Sequence, residues 1–161
     1  METHKGVGMS VAVVRNNKVV YTKSFGTKDI AKQTNVSDTD LYRIASISKS
    51  FAATAAMQLV EQGEFSLDSD FSDLIGFKVR NPKFPDRVIT LRMVLSHTSS
   101  INDSQGYFNF DSINPTKNNN YEKNFNAYEP GTGYQYCNLN YNMVGAVVER
   151  YSGKRYDTYI Q

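Results

Sequence analysis

Two short apolar stretches near the start of the chain have the composition of β-strands. Residues 9–14 (MSVAVV) and 19–25 (VVYTKSF) are rich in β-branched and aromatic residues. Between them, Asn16-Asn17 is a two-residue turn of a type that tolerates positive φ. The pattern predicts a hairpin over residues 8–25, and because a lone hairpin is marginal in water, it needs further strands. Residues 28–41 are polar and are predicted to be a connector.

Helical spacing of apolar residues dominates the rest of the chain. Residues 47–62 carry apolar side chains three and four positions apart, which predicts a helix, and Gly63 follows where a C-terminal cap is expected. Further helices are predicted over residues 70–75, 91–96 and 139–151. The intervening residues 99–127 are polar and asparagine-rich. A loop this long is usually functional or mobile. The sequence fits two interpretations equally well: the loop borders a substrate cleft, or it is a surface loop without a function.

Composition excludes several classes of function. The 161 residues suit about one domain, and 40% hydrophobic with 21% charged residues is ordinary for a soluble protein. A net charge of +2 gives no argument for nucleic acid or an anionic membrane. No apolar run reaches the roughly 20 residues of a membrane span. Two His and one Cys, without ligand spacing, predict no metal, no cofactor and no internal disulfide.

The most informative segment is residues 42–53, YRIASISKSFAA. Ser46 and Lys49 are three residues apart at a predicted helix start, so they share a helix face, and an adjacent amine can activate a serine hydroxyl. The helix N-terminus adds partial positive charge that favours an oxyanion near Ser46. A Ser-x-x-Lys pattern also arises by chance about once in a chain this long. The alternative is that Ser46 caps the helix and Lys49 is solvated.

A second candidate pattern is Tyr-x-Asn at Tyr136 and Asn138. In an extended segment these two side chains point the same way. A tyrosine with a lowered pKa can relay a proton, and an asparagine amide can hold a lysine and a substrate carbonyl. Residues 107–109 also fit the pattern, but no Pro-Gly pair precedes them and no predicted helix follows them. Tyr136 and Asn138 have both, with Pro130-Gly131 before them, and are therefore preferred. The alternative is that Tyr136 has no catalytic role and only packs against its neighbours, as other aromatic residues do in a chain with 11 tyrosines.

Three segments together resemble a known superfamily. Residues 44–68 (IASISKSFAATAAMQLVEQGEFSLD), 91–100 (LRMVLSHTSS) and 130–153 are similar, in this order, to motifs of the serine β-lactamases and penicillin-binding proteins. The branch with class C β-lactamases, D,D-peptidases, D-aminopeptidases and related esterases is the most similar. Two positions depart from the pattern: Ser100 replaces a usual glycine, and Cys137 replaces a usual small residue. Cys137 either alters the properties of the Tyr136 side chain or only fills a small space in the packing.

The resemblance implies an α+β fold of the β-lactamase/transpeptidase type, with an antiparallel sheet and a mainly helical domain. Residues 1–37 would be the hairpin and connector of the sheet region, and residues 38–161 the helical region with both motifs. It further implies a serine hydrolase that forms an acyl-enzyme on an amide, β-lactam or ester. Ser46, Lys49 and Tyr136 would be catalytic, and Asn138 would bind a small-molecule or peptidoglycan-like substrate. From the residues alone, His97 is expected to be a hydrogen-bonded structural residue, and the alternative is a metal ligand or a base.

Other expectations follow from what the family usually carries. A later strand with a Lys/His-x-Gly motif normally lines the cleft and gives one oxyanion donor, and the chain ends at Gln161 before any such strand. We therefore expect an amino-terminal portion that is inactive alone, since one lost donor costs roughly 10²–10³ in rate, and that self-associates through an exposed sheet edge.

Location and catalysis each leave an alternative. The family usually works outside the cytoplasmic membrane, so the full-length protein is expected to be periplasmic or secreted. No signal peptide opens this chain, and a cytoplasmic relative is the alternative. The other function class is a non-catalytic relative that serves as a binding or structural module.

Overall fold

The computed structural model describes residues 6–161, which divide into two compact units at Ile44/Ala45. The first unit holds a three-stranded antiparallel sheet in the order β1-β2-β3, and the second unit holds the helices. The strands are β1 (Gly8–Arg15), β2 (Lys18–Asp29) and β3 (Thr34–Asn35). Sheet and helices together make the α+β fold that the sequence predicts.

The predicted hairpin is confirmed, including its turn. Asn16 and Asn17 have φ of 51° and 58°, the positive values that a two-residue turn matching strand twist requires. Arg15 pairs with Lys18 on either side of that turn. The prediction of a simple connector over residues 28–41 is wrong, because β2 continues to Asp29 and β3 lies within the connector. Backbone pairing, which polar side chains do not prevent, sustains both segments.

Several apolar side chains of this sheet are exposed. Val14 and Val19 each keep 62% of their surface accessible, and Tyr21 keeps 47%. Within the described residues β1 pairs only with β2, so β1 is an edge strand. An edge strand with apolar side chains is a template for pairing with another chain.

The helices of the second unit lie close to their predicted positions. A 3₁₀ turn at Ala45–Ile47 leads into the first helix. The helices are α1 (Ser48–Glu61), α2 (Phe71–Ile75), α3 (Leu91–Leu95), α4 (Asn138–Ser152) and α5 (Tyr156–Tyr159). The predicted helices over 47–62, 70–75, 91–96 and 139–151 are therefore confirmed, with ends that differ by one residue. The short α5 was not predicted.

Local signals explain where these helices begin and end. The Asp70 carboxylate accepts a hydrogen bond from the Ser72 N–H at the start of α2, and Thr90 accepts one from the Met93 N–H at the start of α3. Gly63 has φ of 80° just after α1, and Gly153 has φ of 66° at the end of α4. Both glycines adopt the left-handed conformation that helix C-termini favour.

The core of the second unit forms where α1 and α4 pack together. Helix α1 contributes mostly small side chains, which let a neighbouring helix approach closely, and α4 contributes larger ones. The buried members are Ala52, Ala55, Ala56 and Leu59 from α1, and Leu139, Met143, Val144, Val147 and Val148 from α4. Truncating a fully buried side chain such as Met143 to alanine would cost about 2–5 kcal/mol of stability. This packing holds the amino-terminal end of α4 beside Lys49.

Residues 99–127 are ordered by asparagine side chains. Two 3₁₀ turns lie within the stretch, at Phe110–Ser112 and Tyr121–Asn124. The Asn118 amide donates to the Ser112 carbonyl at 2.7 Å, and the Asn124 amide donates to the same carbonyl at 2.7 Å. These local bonds substitute for regular secondary structure. No helix among residues 6–161 is long and apolar enough to cross a membrane.

Candidate active site

Ser46 lies in the 3₁₀ turn that leads into α1, two residues before the helix begins. Its Oγ accepts a hydrogen bond from Lys49 Nζ at 3.2 Å and another from the Tyr136 hydroxyl at 2.6 Å. The preceding residue, Ala45, has φ of 45°, a strained value for a residue with a Cβ. The predicted neighbours of Ser46 thus both reach its oxygen, Lys49 from three residues away in the chain and Tyr136 from 90 residues away.

Lys49 is held by polar and aromatic groups together. Its Nζ donates to Asn138 Oδ1 at 2.8 Å, which is shorter than its contact with Ser46. The same nitrogen lies 4.9 Å from the ring centre of Tyr136 and 5.8 Å from that of Tyr141. A cation within about 6 Å of an aromatic face is attracted to it. These contacts fix the lysine amine at the serine oxygen.

Tyr136 and Asn138 point to the same side, as the spacing predicts. Cys137 between them has an extended backbone, with φ of −144° and ψ of 120°, and its side chain is fully buried. This alternation brings the Tyr136 hydroxyl to Ser46 and the Asn138 amide oxygen to Lys49. The structure therefore brings together all four residues that the sequence singles out.

The Tyr136 phenol sits beside a positive charge. The Lys49 ammonium, followed by the hydrogen bond to Ser46, lowers the pKa of Tyr136 below its ordinary value of 10.0. Burial and the Asp103 carboxylate oppose this shift but do not cancel it. A phenol with a lowered pKa is better suited to accept and release a proton near neutral pH.

Asp103 is a neighbour of the site that the sequence analysis missed. Its carboxylate accepts hydrogen bonds from the backbone N–H groups of Asn138 and Leu139, at 2.8 and 2.9 Å. It also accepts from the Asn138 side-chain amide at 2.9 Å and from Cys137 Sγ at 3.1 Å. No local pattern marks this residue, because its partners lie 34 to 36 positions further along the chain.

His97 supports the segment that carries Tyr136. Its Nδ1 accepts a hydrogen bond from the Cys137 N–H at 3.2 Å, and its carbonyl accepts one from the Gln135 N–H at 2.9 Å. Its ring centre is 4.5 Å from that of Tyr136. Burial, followed by the Lys49 charge, lowers the pKa of His97, which favours the neutral ring that can accept at Nδ1. The predicted hydrogen-bonded, structural histidine is confirmed.

The alternative Tyr-x-Asn pattern at residues 107–109 is not part of this cluster. Asn109 Oδ1 accepts from the Asp111 N–H and so caps a 3₁₀ turn, while the Tyr107 carbonyl accepts from the Asn142 amide. Neither side chain hydrogen-bonds to Ser46 or Lys49. Across residues 6–161, no group of three or more His, Cys, Asp or Glu residues is arranged to hold a metal ion.

Comparison with known proteins shows the family of this chain. The family model for Beta-lactamase matches residues 1–161. Protein flp of Staphylococcus aureus (strain MRSA252) is 29% identical over 160 residues, which are 95% of this chain and 32% of that protein. The chain thus spans about a third of the length of this relative.

Solved structures give the same result. The octameric penicillin-binding protein homologue from Pyrococcus abyssi superposes with a TM-score of 0.79 at 30% identity, over 99% of this chain and 38% of that one. A class C β-lactamase in complex with cefoxitin gives 0.77 at 29% identity, over 100% of this chain and 44% of that one. The chain belongs to the Beta-lactamase family, in the superfamily of serine β-lactamases and penicillin-binding proteins, and corresponds to an amino-terminal portion of those proteins.

Proposed function

We propose that this chain carries the nucleophile and proton-transfer residues of a serine hydrolase that works through an acyl-enzyme. The observation that supports this most directly is the position of Ser46 Oγ, which is hydrogen-bonded to both Lys49 and Tyr136. A serine activated by adjacent basic groups is the usual arrangement for covalent catalysis. Membership of a family of serine hydrolases agrees with it.

Acylation would begin with Ser46 Oγ attacking the carbonyl carbon of an amide, β-lactam or ester. As the new C–O bond forms, the Ser46 proton passes to the Lys49–Tyr136 pair. When the tetrahedral intermediate collapses, Tyr136 delivers a proton to the leaving nitrogen or oxygen, and the scissile bond breaks. Water then attacks the Ser46 ester, which releases the acid and restores the serine.

The start of α1 would stabilise the negative oxygen of the intermediate. The Ser46 backbone N–H lies in the turn that leads into this 14-residue helix, whose N-terminus carries partial positive charge. It would supply one oxyanion donor. An oxyanion donor is worth roughly 10²–10³ in rate.

Asn138 would contact the substrate directly. Its amide oxygen is occupied by Lys49, and one of its two amide N–H groups is given to Asp103. The second N–H of this amide would donate a hydrogen bond to a carbonyl of the bound substrate. The substrate would be a small molecule or a peptidoglycan-like peptide. The full-length protein would act in the periplasm or outside the cell, and the alternative is that it is a cytoplasmic member of the family.

Hydrolysis by matched serine variants tests the proposal. The protein as its gene encodes it would be assayed on a β-lactam, a D-alanyl-D-alanine peptide, a D-amino-acid amide and an activated ester. Ser46→Ala should reduce turnover of every active substrate to background. Ser50→Ala is the control, because Ser50 lies four residues further along, and its hydroxyl donates to the Ile47 carbonyl instead. Turnover that survives in Ser46→Ala would refute the proposal.

A further inference from the structure

Asp103 makes four hydrogen bonds to three consecutive residues. Its Oδ2 accepts from the backbone N–H and the side-chain amide of Asn138, at 2.8 and 2.9 Å. Its Oδ1 accepts from the Leu139 N–H at 2.9 Å and from Cys137 Sγ at 3.1 Å. The four contacts use both carboxylate oxygens. In each contact the partner is a donor, so Asp103 must act as the acceptor.

One consequence is a cap for α4 that comes from outside the helix. The first N–H groups of a helix have no partner within it, and they are usually satisfied by the side chain of the capping residue. Here the capping residue is Cys137, whose side chain makes no such bond. Asp103 takes over this task for Asn138 and Leu139, and so fixes the point where the helix begins.

A second consequence concerns the orientation of the Asn138 amide. The side chain has an oxygen at one end and an NH₂ at the other, and the two are similar in shape. A carboxylate only accepts, so the NH₂ must face Asp103, which leaves the oxygen facing Lys49 at 2.8 Å. A flipped amide would place oxygen against the carboxylate and NH₂ against the ammonium, and both contacts would be repulsive.

We infer that Asp103 is a positioning residue that sets the amide orientation of Asn138 and, through it, the place of Lys49 at Ser46. This inference rests on the proposed function, because it assigns a supporting role within the same site. Asp103 hydrogen-bonds to neither Ser46 nor Lys49, so the Asn138 side chain is its hydrogen-bonded link to Lys49. The charge state that this requires is present: burial alone would raise the pKa of Asp103, but the N–H groups of Leu139 and Asn138 and the other two donors keep it below its ordinary value.

A double-mutant cycle tests this role. Asp103→Asn keeps the size of the side chain but replaces one acceptor oxygen with a donor. The readout is the initial rate of labelling of Ser46 by an alkyl fluorophosphonate, divided by the concentration of protein that can be labelled. We expect Asp103→Asn to slow labelling about 10²-fold, the effect of a small misplacement in an active site. In an Asn138→Ala background the same change should cost much less than that, because the side-chain amide that links Asp103 to Lys49 is gone and only the backbone cap of α4 is still affected.

Asp111→Asn is the matched control, since Asp111 lies on the same loop and is exposed. It should leave the labelling rate unchanged. An Asp103→Asn protein that labels at the unmodified rate would overturn the inference. So would an equal loss in the Asn138→Ala background, which would mean that Asp103 acts only on general stability.

Nuclear magnetic resonance separates this inference from the proposed function and needs no labelling chemistry. The side-chain amide signals of Asn138 are assigned by their loss in Asn138→Ala. In the unmodified protein, one of the two protons should be shifted downfield and protected from exchange by its bond to Asp103. Two protons at ordinary asparagine amide shifts that both exchange freely would overturn the inference even if Ser46 is labelled. If Ser46 is never labelled but the downfield proton is present, the proposed function fails and the amide orientation stands.

Discussion

The Tyr136 hydroxyl lies 2.6 Å from Ser46 Oγ, although 90 residues separate the two in the chain. Lys49 reaches the same oxygen from within its own helix, at 3.2 Å. The packing of α1 against α4 brings the two motifs together, since α1 begins just after Ser46 and α4 begins just after Tyr136. The proposed chemistry depends on this meeting of one local and one distant partner.

Tyr136→Phe should slow acylation of Ser46 by about 10²–10⁴-fold, the usual contribution of a proton-transfer group. The ring that packs on His97 is retained, and Tyr136 is 40% exposed, so the fold should be unaffected. Rate constants for labelling by an alkyl fluorophosphonate, measured beside thermal unfolding, check both statements. Loss of rate together with loss of folded protein would remove this variant as support for a proton relay.

The same residue predicts a pH dependence. The neighbouring ammonium favours the phenolate, so Tyr136 loses its proton at a lower pH than a free tyrosine. If the phenolate takes up the Ser46 proton, the acylation rate rises with pH through this lowered pKa and then levels. A pH–rate profile should show that rise in the unmodified protein and not in Tyr136→Phe. Identical profiles would contradict the assigned role.

Lys49→Arg should slow acylation by at least about 10²-fold although it keeps the positive charge. A guanidinium is planar and does not give up its proton in proteins, so it can neither relay a proton nor match the position of Nζ. Lys117→Arg, on an exposed loop position, is the control and should behave like the unmodified protein. Equal rates in both variants would mean that only the charge of Lys49 matters.

His97→Asn should remove a pH dependence of stability. In the folded protein the pKa of His97 lies below its ordinary value of 6.5, so the unfolded chain binds the proton first. The free energy of unfolding therefore falls as pH drops below about 6.5 and levels below the folded-state pKa. Asparagine keeps an acceptor for the Cys137 N–H and tolerates the positive φ of 60°. Denaturant titrations from pH 7.5 down to about 5 should show the fall in the unmodified protein and a flatter curve in the variant.

Cys137 should be unreactive in the folded protein. Burial, followed by the Asp103 carboxylate, raises the pKa of its thiol to about 12, so almost no thiolate is present near neutral pH. A thiol-specific reagent should modify it only after denaturation. Cys137→Ser should keep the native fold, because a hydroxyl can also donate to Asp103. Rapid modification in native buffer would contradict the burial of this thiol in the folded protein.

Edge pairing of β1 predicts self-association. Val14→Lys places a charge on the exposed edge strand and should reduce any association seen by sedimentation velocity. Val19→Lys is a matched control, since Val19 is equally exposed and pairs directly with Val14, but lies on β2 and not on β1. If the two variants reduce association equally, the exposed sheet face and not the edge would be responsible.

Features with a local physical signature could be predicted from the sequence. The Asn16-Asn17 turn follows from the tolerance of asparagine for positive φ, and the Ser46–Lys49 contact follows from helical periodicity. The shared direction of Tyr136 and Asn138 follows in the same way from the alternation of an extended segment.

The parts that could not be predicted depend on tertiary packing. The pairing of β3 with β2 joins polar residues that carry no strand pattern. The capping of α4 by Asp103 joins residues more than 30 positions apart, and neither end of that contact fits a local capping motif. His97 could be predicted as structural, but its Cys137 partner could not.

Peptide-level mass spectrometry after reaction with an alkyl fluorophosphonate tests whether Ser46 is an activated nucleophile, because that reagent modifies activated serines whatever their acyl specificity. Cleavage after Arg43 and Lys49 releases residues 44–49, a peptide with two serines, Ser46 and Ser48. Fragment ions separate the two. We expect one adduct, on Ser46, in the folded protein and none after denaturation. An adduct on Ser48 or elsewhere, or no adduct at all on folded protein, would contradict it.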